Sequence, residues 1–155
     1  MLAFILPILP AKELNAHSNR PTTHQIKLEK VKKYVETHKK KKSKLNTHKF
    51  SFAILNSRNP ALLLAIAKTE SNFDPTAKSS AGAKGIFQIM RPQVADQHNY
   101  ELVIKDAERV LDEKLKIAKG DKWLAVERYN GRGREARLYR QKVQKEYNKI
   151  KLALN

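Results

Sequence analysis

Leu62 to Met90 reads LLLAIAKTESNFDPTAKSSAGAKGIFQIM, an apolar helix signal that runs into a turn and then into a stretch of small residues. Just upstream, Asn59 and Pro60 form a helix start: a capping side chain, then a proline at the first helical position, where its missing N–H is not needed. From that cap Leu63, Ile66, Ala67 and Glu70 fall at i, i+3, i+4 and i+7, on one face of one helix. Glu70 therefore extends an apolar stripe. A carboxyl at the end of a buried face loses hydration and keeps its proton near neutral pH, which is what a general acid needs. On an exposed last turn the same residue is an ordinary surface glutamate, and periodicity does not choose between the two. Asp74 and Pro75 then make a turn, and Ser79 to Gly85 (SSAGAKG) sets small residues where backbone must turn tightly or approach a ligand.

Outward from this stretch the signals stay helical. Val103, Ala107, Val110, Leu111, Leu115 and Ala118 keep helical spacing through residues 101–118, and Trp123 to Tyr129 predicts a short helix ended by Asn130 and Gly131. Ala136, Tyr139, Val143, Tyr147 and Ile150 recur at three and four, with Arg and Lys on the opposite face. Toward the N-terminus, residues 11–25 read as a linker, and structure is expected to begin near Ile26. Leu28, Val31 and Val35 predict a short amphipathic helix over 26–37, the lysines after it a loop, and Phe50 to Leu55 a short apolar patch. No strand pattern competes and no internal repeat is present. The expected architecture is all-α with four or five helices: a domain over 50–155, preceded over 1–49 by an apolar N-terminus and a basic, partly unstructured leader.

A chain of 155 residues with 41% hydrophobic content supports one core. The absence of cysteine removes disulfide scaffolds, thiol catalysis and thiolate metal sites. The five histidines show no ligand spacing, so neither metal nor cofactor is expected. With 32 Lys and Arg against 15 Asp and Glu, the net charge is +17, and it is uneven. Residues 1–19 carry 0, 20–49 carry +9, 51–119 carry +2 and 120–155 carry +6. The excess thus lies in the leader, with its run Lys39, Lys40, Lys41, Lys42 and Lys44, and in an Arg-rich C-terminal segment. Such patches attract nucleic acid, anionic lipid or an acidic polymer through the same Coulombic force. Leu2 to Pro10 (LAFILPILP) reads equally as a weak export signal, a docking tail or an unstructured terminus. It falls far short of the ~20 apolar residues of a membrane span.

The motif set from Leu62 to Met90 resembles the catalytic core of soluble-type lytic transglycosylases, relatives of goose-type lysozyme. It combines a Glu-Ser pair closing an apolar helix, then Phe73, Pro75, Ala77 and Ser79, then Gly82-Ala83-x-Gly85, then Gln88-x-Met90. Pro92, Val94 and Ala95 continue it, and Tyr129-Asn130 is similar to the family's later Tyr-Asn pair. The resemblance covers roughly residues 52–147 and implies a lysozyme-like fold. It implies that Glu70 is the catalytic acid and base, that Ser79, Gln88, Met90 and Tyr129 line a sugar groove, and that Asn130 shapes it. The implied reaction cleaves the β-1,4 bond between MurNAc and GlcNAc in peptidoglycan. The substrate's N-acetyl carbonyl stabilises the developing cation, and the C6 hydroxyl closes a 1,6-anhydro ring without consuming water.

Ordinary two-carboxylate hydrolysis calls for a second acid roughly 5 to 10 Å away. Asp74 is the nearest in sequence but sits in an Asp-Pro turn, where such side chains bond local backbone; spacing favours none of Asp96, Glu101 and Asp106. Gln88, Met90 and Tyr129 each have a bland alternative as polar surface or core packing. Glu127 and Arg128 stand before the Tyr-Asn pair where the family has small residues, and the Met90 to Tyr129 connection is short, which suggests a more open cleft. A lysozyme-type hydrolase and an inactive wall-binding or virion protein are the alternatives. Nucleic-acid binding through the leader is a lesser one, since aromatics do not interleave with its cations. The implied setting is the cell envelope, a secretion complex or a virion.

Overall fold

The computed structural model describes residues 20–154, so the readings of Leu2 to Pro10 and of the first part of the linker lie outside the described residues. Six helices and no strand occur among them: α1 Thr23–His38, α2 Thr47–Leu55, α3 Pro60–Ser71, α4 Tyr100–Ile117, α5 Lys122–Asn130 and α6 Arg134–Leu154. The all-α expectation holds, with one helix more than the upper count. The addition is α2, whose apolar patch starts three residues earlier than its hydrophobic signal because Asn46 caps it, accepting from the Lys49 amide at 3.1 Å. Helix α1 likewise begins ahead of Ile26. Thr22 and Gln25 form a reciprocal capping box there, the Thr22 hydroxyl accepting from the Gln25 backbone N–H at 3.1 Å and the Gln25 side-chain Oε1 from the Thr22 backbone N–H at 2.7 Å.

Helix α3 is the centre. Leu62 to Ala67 are buried all round, as expected of a helix enclosed by others. Asn59 caps it as read from sequence, accepting from the Leu62 amide at 3.3 Å, with Pro60 in its first turn. It packs mainly on α6, which also meets α5 and α1, while α2 touches α3 and packs on α4. The part of the basic leader that the structure describes belongs to this core: Val31, Tyr34, Val35 and Leu45 are buried in the same cluster as Phe50, Ile66, Ile104 and Val143.

The lysine loop between α1 and α2 docks on the end of α3. Lys40 donates its backbone N–H to the Asn72 carbonyl at 3.0 Å and pairs with Asp74 at 3.2 Å, and the Ser43 hydroxyl donates to the Phe73 carbonyl at 2.9 Å. Asn72 and Phe73 both lie in the left-handed region, with φ of 50° and 60°, unusual for a bulky side chain. This turn drives Phe73 into an aromatic cluster, 5.9 Å from the Phe50 ring and 6.3 Å from that of Tyr34. Burial of that ring offsets the local strain.

Candidate active site

Glu70 stands on the last turn of α3, half-buried. Burial pushes its carboxyl up from an ordinary value of 4.5 to about 7, against a hydrogen bond that favours the ionised form. The donor is the Tyr139 hydroxyl of α6, 2.7 Å from Oε1. The buried environment is therefore the one of the two that the helical spacing left open. Glu70 opens onto a cleft of about 320 Å³ that also includes Thr69, Asn130, Glu135, Tyr139 and Lys142. A larger cavity of about 600 Å³, lined by His48, Asp96, His98 and Glu101 among others, shares no lining residue with it. Proton chemistry, rather than volume, marks the site.

The loop that follows α3 is anchored one residue from the carboxyl. The buried Ser71 hydroxyl donates to the Ile86 carbonyl at 2.8 Å and accepts from the Asp74 amide at 3.0 Å. Short antiparallel bridges, Lys78 with Lys84 and Lys84 with Ile89, fold the loop on itself. Gly85 takes φ of 75°, a conformation that favours glycine, and the Gln97 side chain lies over it where a Cβ would force that side chain aside. Replacing Ser71 by alanine strips a partner from two buried backbone groups, and a loss of about 2 kcal/mol is expected. Urea denaturation measures it as a lower midpoint at unchanged slope; a change below about 0.5 kcal/mol would mean that the loop is not held here.

The other residues singled out in the sequence divide. Asn130 ends α5 and lines the cleft with Glu70. Tyr129 donates to the Phe87 carbonyl at 3.0 Å, and its phenol is pushed up by burial and by the nearby charge of Glu70. Ser79, Gln88 and Met90 lie on the anchored loop, and none of them lines the Glu70 cleft. Ser79 Oγ accepts from the Ala83 amide at 2.9 Å. The Gln88 amide nitrogen donates to the Ala77 and Gly85 carbonyls at 3.1 and 2.9 Å, holding the loop in shape. Met90 is 55% exposed while Phe87 is buried, so packing in the core explains Phe87 and not Met90.

The model of the transglycosylase SLT domain family matches residues 53–151. The chain belongs to the transglycosylase SLT domain family. No curated protein and no solved structure matches it. Within this SLT domain, the departure before the Tyr-Asn pair has a structural reason. Glu127 is buried and takes Arg128 at 3.3 Å and Arg140 at 3.2 Å, tying α5 to α6 beside the cleft.

Two residues that line the Glu70 cleft carry no sign of it in the sequence. Tyr139 was visible only as one apolar position of α6, and nothing local shows that it reaches a residue 69 positions away. Glu135, exposed at the start of α6, enters the same cleft, and nothing in its spacing announces it. The four candidate carboxylates nearer in sequence have other work. Asp74 is buried, but bonds from Thr76 and Lys40 hold its carboxyl below the usual range. Asp106 accepts from the Gln93 amide at 2.9 Å and pairs with Arg109 at 2.7 Å. Asp96 and Glu101 line the separate large cavity. Among the described residues no group of three or more His, Cys, Asp or Glu is arranged to hold a metal ion, and no helix is long and apolar enough to cross a membrane.

Proposed function

We propose that this SLT domain is a peptidoglycan lytic transglycosylase that cuts the β-1,4 bond between MurNAc and GlcNAc and releases 1,6-anhydroMurNAc ends. The observation that carries the reading is the single half-buried carboxyl of Glu70, brought to about 7 and held by Tyr139 at the edge of a cleft. A group with that affinity for its proton gives it to the leaving oxygen at neutral pH and takes another back from the C6 hydroxyl. The substrate's own N-acetyl carbonyl shields the cation between the two steps, so one glutamate serves both. In this reading Asn130 borders the sugar in the cleft, Tyr129 braces the loop behind it through the Phe87 carbonyl, and Ser79, Gln88 and Met90 meet the glycan strand where it runs on beyond the cleft. The exposed Met90 thioether offers an apolar surface to a sugar face.

A second reading, hydrolysis, has one observation in its favour: Glu135 shares the cleft and is the carboxylate a water-activating mechanism calls for. Mass spectrometry of soluble fragments from purified peptidoglycan separates the two. Fragments lighter by one water than hydrolysis products are expected, unchanged in mass with Glu135→Gln. Fragments of hydrolytic mass would move the enzyme to the lysozymes, and no fragments at all would leave a wall-binding or structural role. The setting that follows is the cell wall, reached from the envelope, a secretion complex or a virion, with peptidoglycan as partner and the basic leader as a secondary contact for anionic surfaces or nucleic acid.

A further inference from the structure

Beside the Glu70 cleft, and sharing Thr69 and Lys142 with it, lies a cavity of about 380 Å³ between the end of α3 and the middle of α6. Its wall carries Lys68 from α3 and Lys142, Lys145 and Lys149 from α6, the last three spaced by three and four so that they share one helix face. Glu146 is the one carboxylate in the lining. It is already engaged, by Lys149 at 2.8 Å and by the Tyr34 hydroxyl at 3.2 Å. Lys68 donates to Asn72. Among the described residues, Lys68, Lys142 and Lys145 have no carboxylate at salt-bridge distance. Like charges at these helical spacings repel one another, and a bound anion relieves that repulsion.

The substrate of the proposed reaction supplies such an anion at the right place. The muramyl residue whose bond is cut beside Glu70 carries a stem peptide on its lactyl group, and that peptide is rich in carboxylates. An extended residue spans about 3.5 Å, so these carboxylates begin within a few residues' reach of the cleft, on the scale that separates two adjoining cavities. Resting on the reading of Glu70 given above, we propose that the lysine-lined cavity binds the stem-peptide carboxylates of the muramyl residue being cleaved. The enzyme then selects peptide-bearing over peptide-free glycan.

Binding tests this independently of catalysis. Glu70→Gln protein, and the same protein also carrying Lys68→Gln and Lys145→Gln, are pelleted at low salt with peptidoglycan and with peptidoglycan stripped of peptides by an amidase. About tenfold tighter binding to the peptide-bearing material is expected, with most of that preference lost in the lysine variant and suppressed by added salt. A synthetic stem peptide is expected to compete, and its carboxyl-amidated form is not. Equal binding to both materials, or equal weakening on both in the lysine variant, overturns the proposal. Fragment release by the unsubstituted protein is scored separately: a binding preference with no fragments sinks the catalytic reading and leaves the cavity as a stem-peptide site without cleavage.

Discussion

Glu70→Gln is expected to abolish glycan cleavage while making the protein more stable above neutral pH. Loss of a positioned general acid and base removes about 10²- to 10⁴-fold in rate. The stability change follows from proton linkage. The carboxyl's folded value of about 7 lies above its ordinary 4.5, so the native state holds the proton more tightly than the unfolded chain does. Below the unfolded value both states are protonated and the burial is harmless. As pH rises from there through about 7, the unfolded chain ionises first, and stability falls. The penalty is complete above the folded value. At 1.36 kcal/mol per pH unit, reduced for partial exposure to solvent, it comes to about 2 kcal/mol. Glutamine keeps the shape and still accepts from Tyr139 without ever ionising. Denaturation at pH 4 should therefore find the two proteins alike, whereas at pH 8 the variant should be about 2 kcal/mol more stable. An equal difference at both pH values would mean that Glu70 is not desolvated.

Tyr139→Phe is expected to slow cleavage by about ten- to a hundredfold and to move its pH dependence. The hydroxyl donates to Oε1 at 2.7 Å, which fixes the carboxyl's direction and favours its ionised form. Removing the donor loosens the aim, and small misplacements of a reacting group are expensive. It also lifts the Glu70 carboxyl further, so the alkaline fall in activity, where the acid loses its proton, should shift to higher pH. A tyrosine that served only to fill space would lower the rate evenly and leave the profile in place. The variant should fold, because the ring still fills its buried position on α6.

Much of this site was legible in one dimension. The Asn59 cap, the apolar run behind it and the Glu-Ser pair predict α3 and its end within a residue, because capping and helical phase are local. The small residues of the 79–85 stretch likewise announce a tight loop, and the φ of Gly85 shows why glycine is favoured at one of them. Helix α2 was harder. It has only nine residues, several of them apolar, and so short a run shows little period, while its polar cap lies outside the hydrophobic signal. The lysine run misleads in another way. Read by charge alone it is a solvated loop, yet Lys40 spans to Asp74 and helps hold the turn that places Phe73.

From its residues alone the chain reads as an all-helical SLT domain with Glu70 as the candidate acid, since motif spacing and helical phase depend on neighbours in sequence. What Glu70 is able to do depends on neighbours in space. The desolvation that brings its carboxyl to about 7, the Tyr139 hydroxyl that aims it, the Glu135 carboxylate across the cleft and the lysine cavity beside it all come from α6 folding back along α3. Burial and electrostatic partnership are sums over everything within a few ångströms, and those groups lie some 65 to 80 residues along the chain, beyond the reach of any local pattern.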